Sequence, residues 1–209
     1  MSASDRKECI LQGATEAFGQ KGFRGATTRE IAQRLGISEA LIFNYFPSKE
    51  ALYRAIIQRK INQSKEMLFS EVAIRAKDDR RVFRSIASYL ISQNSDEHTF
   101  LKLIHYSVLE GHELSKIFFE IQWEKTKFLS KYIRQRIKEQ AFQKVPPLLA
   151  ARAFIGMIIY YVQSQELYGM KSHFNFSRKR VVDTLVEIFL NGLTGKSRGN
   201  KGQERKSNF

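Results

Sequence analysis

The sequence predicts an all-α protein: an N-terminal three-helix helix-turn-helix domain followed by a larger helical domain. Three observations carry this. Only 3 prolines and 12 glycines interrupt 209 residues, too few for the turns of a many-stranded β architecture. Apolar residues recur three and four apart through most of the chain, which is helical spacing. Hydrophobic residues make up 43% and charged residues 27%, enough to bury a core and too apolar for wholesale disorder.

Helix 1 is expected over Arg6 to Gln20. Asp5 and Glu8 resemble a capping pair, and Ile10, Ala14, Ala17 and Phe18 share one face. Gly22 should stop it, because glycine tolerates the left-handed backbone at a helix end. Phe23 then plugs the core. Thr27 with Glu30 three residues on is a capping box that starts helix 2, whose stripe is Ile31, Ala32 and Leu35. Gly36 turns the chain and Ile37 is an apolar plug. Ser38 caps helix 3, Glu39 to Phe46, and Pro47 ends it, since the residue before proline is pushed out of helical geometry. Ser48 caps helix 4, expected from Lys49 to Arg75 with Leu52, Ile56, Ile61, Leu68 and Val72 on its apolar positions. Further helices are expected near Arg80–Gln93, Glu97–Glu110, Glu113–Ala141, Pro147–Gly169 and Ser177–Leu193.

Charge narrows the partners. The chain carries 35 Lys and Arg against 21 Asp and Glu, a net +14. A compact protein this basic meets nucleic acid or an anionic surface. Basicity is densest beyond Lys196, where apolar periodicity stops. That tail is expected to be disordered, serving either as a solubilising end or as an arm that grips phosphates. The N-terminus is charged where a signal peptide needs apolar residues. The longest apolar run, Phe154 to Val162, is far below the roughly 20 residues that span a bilayer. The expected location is cytoplasmic, with no membrane partner.

Catalytic and metal patterns fall away. The single cysteine, Cys9, excludes an internal disulfide and a cysteine-cluster metal site. His98, His105 and His112 recur every seven residues, about 10.5 Å apart per step on a helix, too far for one metal. His112-Glu113 lacks the second histidine of a His-Glu-x-x-His motif, since position 116 is Lys. No nucleophile elbow or phosphate-binding glycine loop occurs. Neither an enzyme nor a cofactor is expected.

The segment Thr27–Phe46 is different. Two short helices joined by a glycine turn form the layout in which the second helix enters the DNA major groove. The free N–H groups at Thr27, Thr28 and Ser38 favour phosphate, and the Tyr45 hydroxyl and Lys49 ammonium can serve the same backbone. The run Thr27-Thr28-Arg29-Glu30-Ile31-Ala32, then Gly36-Ile37-Ser38, Phe43-Asn44-Tyr45-Phe46 and Lys49-Glu50-Ala51-Leu52 resembles the DNA-binding domain of the TetR family over about residues 5–60. That resemblance implies a homodimeric, ligand-responsive transcription regulator, usually a repressor. It implies phosphate contacts from Thr27, Thr28, Tyr45 and Lys49, and groove-facing Glu39, Ala40, Leu41 and Asn44. Arg29 would reach a phosphate or a guanine. Phe43 stands where the family usually has tyrosine, so one phosphate-seeking hydroxyl is missing. Glu39 and Leu41 are unusual reading residues: glutamate accepts from cytosine, and leucine touches only a thymine methyl.

The expected domains are 1–48 for DNA binding, 49–195 for ligand binding and dimerisation, and 196–209 for the tail. Two recognition helices held at fixed spacing need a dimer, and its operator is expected to be palindromic double-stranded DNA. The interface is expected from the helices over 147–169 and 177–193. In the first, Phe154, Met157, Ile158 and Tyr161 form one stripe and Ile155, Ile159 and Val162 another. Gly156 allows close approach. The second offers Val181, Val182, Leu185, Ile188 and Phe189. Phe100, Leu103, Tyr106, Phe118, Phe119, Trp123, Tyr160 and Tyr161 could line an apolar cavity, with His105, Gln122 or Gln163 as its polar points. An apolar or aromatic small-molecule effector follows from that. A DNA-bound adaptor whose second domain recruits a protein is the alternative.

Overall fold

The computed structural model describes residues 2–65, 71–91 and 95–194. The tail beyond Lys196, Leu68 and the His98 side chain lie outside what is described. Ten α-helices are described: α1 Ala3–Gly25, α2 Thr28–Leu35, α3 Glu39–Tyr45, α4 Lys49–Lys65, α5 Glu71–Arg75, α6 Asp79–Leu90, α7 Ser95–Leu109, α8 Glu113–Lys138, α9 Pro147–Glu166 and α10 Arg178–Thr194. A short 3-10 turn, Met170–Ser172, follows α9. No strand occurs among the described residues.

The helix signals fall close to where the sequence puts them, with two differences. The first helix begins earlier, because Ser2 and Asp5, not Asp5 and Glu8, form its capping box. It also runs past its glycine: Gly22 (φ 73°, ψ 177°) kinks it and one more turn follows. That backbone is open only to glycine. Lys49–Lys65 and Glu71–Arg75 are both helical, as expected for helix 4, and the stretch between them lies outside the described residues.

Two hydrophobic cores hold the fold. The first gathers Ile10, Ala14, Phe18, Ile31, Ile42, Phe46, Leu52, Tyr53 and Ile56 from α1–α4, and it also takes Phe100, Leu103 and Ile104 from α7. The second gathers Phe83 and Ile86 of α6, Ile133 of α8, Phe154 and Ile158 of α9, and Val182, Val186 and Phe189 of α10. Helix α7 therefore belongs to the packing of the N-terminal helices, against α1 above all.

Polar ties fix the second core at its rim. The Tyr132 hydroxyl donates to Asp79 Oδ1 at 2.6 Å, and Arg136 grips both Asp79 oxygens at 2.8 and 2.9 Å. Arg136 also pairs with Glu139, which Lys77 meets at 3.0 Å. Burial and the bond to Asp79 push the Tyr132 hydroxyl well above its ordinary range. Hydrogen bonds from Gln135, Lys77 and Arg136 hold the Glu139 carboxyl down to about 2.

Helix α9 is the one described helix long and apolar enough to cross a bilayer. Here its Ala151, Phe154 and Ile158 stripe is sunk in the second core. Leu149, Ala153, Gly156 and Tyr160, spaced four, three and four apart, form an exposed stripe instead. The expected second stripe, Ile155, Ile159 and Val162, is only partly buried, because it flanks the core face rather than opposing it.

Candidate nucleic-acid interface

The reading head is built by capping. The Thr27 hydroxyl accepts from the Glu30 amide, and the Glu30 carboxylate accepts from the Thr27 amide, both at 3.2 Å. The Lys21 ammonium sits 2.8 Å from Glu30, and this bond leads in holding the Glu30 carboxyl below its usual range. Gly36 ends α2 in the left-handed conformation (φ 65°, ψ 32°). That reversal delivers the Ile37 amide to the Ala32 carbonyl at 3.0 Å. Ser38 then caps α3, its hydroxyl accepting from the Leu41 amide at 3.2 Å.

Helix α3 buries one stripe and bares another. Ile42 is fully buried, and Phe46 just beyond the helix is nearly so. Ser38, Ala40, Phe43 and Asn44 are exposed, while Glu39, Leu41 and Tyr45 are half-buried. The exposed stripe is what a major groove would meet. At the start of α2, Thr27 and Arg29 are exposed, but Thr28 is buried. Its hydroxyl donates to Glu39 Oε1 at 2.5 Å. Thr28 and Glu39 are thus brought together, where the expectation for each was a separate partner on DNA. The Lys49 ammonium lies 4.5 Å over the Phe23 ring. Burial there pushes it below the usual lysine range, and Glu50, Glu110 and Glu30 oppose the shift.

A clamp without any local sequence signal holds this head. Glu110, at the end of α7, accepts from the Phe23 amide at 3.0 Å and the Arg24 amide at 3.3 Å. These are N–H groups freed by the kink at Gly22. A Cβ at position 22 would lie 2.3 Å from Glu110 Oε1. The His112 ring packs on Phe23 at 4.4 Å and Tyr53 at 5.1 Å, and burial lowers its pKa. The Tyr53 hydroxyl, pushed up to about 12 by burial, donates to the Leu103 carbonyl at 3.3 Å. Gly22 signals the break, but nothing nearby marks an acid 87 residues beyond Phe23 as its partner.

The residues considered for a ligand cavity are dispersed. Phe100 and Leu103 are buried in the first core. The half-exposed Tyr106 donates its hydroxyl to the Gln20 carbonyl at 3.4 Å. Phe119 and Trp123 line an open groove of about 430 Å³ with Val108, Ser115, Lys116 and Glu120. Tyr160 is 66% exposed. Gln163 Nε2 lies 3.3 Å from His105 Nε2, and His105 Nδ1 donates to the Leu101 carbonyl at 2.8 Å. Cys9 is exposed.

Comparison with known proteins gives the head its relatives. Residues 10–56 match the family model for bacterial regulatory proteins, tetR family. The chain is 41% identical over 58 residues to the HTH-type transcriptional regulator RutR of Escherichia coli (strain K12), a stretch covering 28% of this chain and 27% of RutR. It is 23% identical over 190 residues to the nucleoid occlusion factor SlmA of Glaesserella parasuis serovar 5 (strain SH0165), covering 85% and 87% of the two chains. The fold is shared with a TetR-family regulator from Mesorhizobium loti (TM-score 0.64, 21% identity, 92% of this chain and 99% of that one). It is also shared with AibR, solved in complex with isovaleryl coenzyme A and operator DNA (TM-score 0.68, 17% identity, 88% and 97%).

Proposed function

From a reading head that belongs to the TetR family, we infer that the chain is a DNA-binding transcriptional regulator working as a homodimeric, effector-released repressor. The observation that carries this is the exposed stripe of α3, Ala40, Phe43 and Asn44, on the side away from the buried Ile42 and Phe46. Docked in a major groove, that stripe meets base edges, while Thr27, Ser38, Tyr45 and Lys49 meet flanking phosphates.

Two such heads need fixed spacing, and α9 and α10 supply it. Leu149, Ala153, Gly156 and Tyr160 on α9 and Ile188 on α10 (58% exposed) are apolar positions left exposed among the described residues. A Cβ at Gly156 would touch nothing, so a second copy can approach closely. A two-fold pairing of these helices buries the stripe on both sides.

Release requires the effector to favour an arrangement that fits DNA less well. The Glu110 clamp is the route: α7 carries both the clamp and His105, which faces Gln163 of α9. A small molecule lodged among α7, α8 and α9 would shift the end of α7 and with it the head. An apolar or aromatic effector is the reading favoured by Phe119 and Trp123, which line the open groove.

Titration of labelled duplexes, from a random-sequence pool and from DNA flanking the coding region, tests the function. Tight binding to some duplexes over others, weakening steeply with salt, is expected. Equal affinity for every duplex would overturn it.

A further inference from the structure

Resting on the DNA-reading role above, we propose that Glu39 selects cytosine in the operator half-site and that Thr28 is the residue that positions it. Thr28 opens α2 and Glu39 opens α3. Thr28 is 9% exposed, and its one hydroxyl proton points at Glu39 Oε1, 2.5 Å away. That proton is therefore already engaged and does not serve a phosphate. The same bond anchors one carboxylate oxygen and leaves Oε2 to meet a ligand. Among the described residues no lysine or arginine pairs with Glu39 to neutralise it.

The chemistry of an anchored carboxylate is narrow. It only accepts hydrogen bonds. In the major groove cytosine offers an N4 amino donor, whereas guanine offers two acceptors that repel a carboxylate. Thymine offers an acceptor and a methyl group. Adenine's donor sits beside the N7 acceptor, a pair that an amide side chain fits better. A free glutamate at a helix start would sample many rotamers and discriminate weakly. The tie to Thr28 holds this one at the front of α3, beside the exposed Ser38 and Ala40.

Selection of duplexes from a fully randomised pool tests the proposal, using the whole chain and its Glu39→Gln, Thr28→Val and Thr28→Ser variants. The unaltered protein is expected to enrich cytosine at one position of each half-site, by roughly tenfold over other bases. Glu39→Gln should shift that position towards adenine. Thr28→Val should flatten the preference there and leave the other positions unchanged, and Thr28→Ser, which keeps the hydroxyl, should restore it. Glu39 is partly exposed and not part of the core, so its glutamine variant folds and the test does not depend on Thr28→Val alone. Unchanged preferences in Glu39→Gln, or a Thr28→Val variant that loses affinity for all duplexes alike, would overturn the proposal while leaving DNA reading intact. A pool in which the unaltered protein enriches nothing would overturn DNA reading itself.

Discussion

Among individual residues, two define the head. Lys49 packs over the Phe23 ring and is one of the cations expected to meet a phosphate. Lys49→Gln should lower DNA affinity uniformly across sequences. It should also make the salt dependence shallower, by about 0.9 in log–log slope for each phosphate no longer neutralised. Fluorescence anisotropy at several salt concentrations reads this. Gly22 is the second. Gly22→Ala adds a Cβ 2.3 Å from Glu110 Oε1 on a backbone with φ of 73°. It should cost about 1–3 kcal/mol, visible as a lowered melting temperature. Unchanged melting would mean that the kink is not needed. Thr28 shows where residue-level reading runs out. Family resemblance points its hydroxyl at DNA, but packing turns it to Glu39, and a pairing between two separate helices leaves no mark in the local sequence of either.

Among the helices and turns, the caps of α2 and α3 were legible and long-range ties were not. Thr27 with Glu30, Gly36, Ser38 and Pro47 mark α2 and α3 because each acts on backbone within four residues of itself. The clamp from Glu110 and the network around Asp79 join segments far apart in sequence, so no local pattern encodes them. Both are testable. Glu110→Ala removes an acceptor from two amides at the kink and should cost about 1–3 kcal/mol. It should also weaken DNA binding without altering which duplex is preferred. The Asp79–Arg136–Glu139 network gives a pH signature. Glu139 is held down to about 2 in the folded chain against an ordinary 4.5. A carboxyl lowered on folding contributes stability above the unfolded value, and that contribution is lost as pH falls through the folded one. Melting temperature should therefore drop between about pH 4.5 and about pH 2, and Glu139→Gln should drop less over that window. Parallel curves for the two proteins would show that Glu139 contributes nothing.

For the chain taken entire, the all-helical architecture followed from helical periodicity and sparse glycine and proline. The division of the core did not. Helix α7 packs into the first core rather than the second, since its apolar Phe100, Leu103 and Ile104 read identically whichever neighbour they meet. The same ambiguity dispersed the ligand-cavity residues between a buried core and an open surface. The surface stripe on α9 and α10 carries the quaternary prediction. Tyr160→Asp with Ile188→Asp places charge on two exposed apolar sites and should yield a folded monomer in sedimentation. A monomer before substitution, at micromolar concentration, would rule out the dimer.

Entry of α3 into the major groove underlies every functional statement above, and a comparison of two charge insertions probes it. Ala40→Glu adds a negative charge to the exposed stripe of α3, and Ser88→Glu adds the same charge on the exposed surface of α6. Each is titrated against the duplex that the unaltered protein prefers. Loss of roughly tenfold or more in affinity for Ala40→Glu, with Ser88→Glu binding nearly as the parent, is the predicted result. Equal affinities for both variants and the parent would contradict the placement of α3 in DNA.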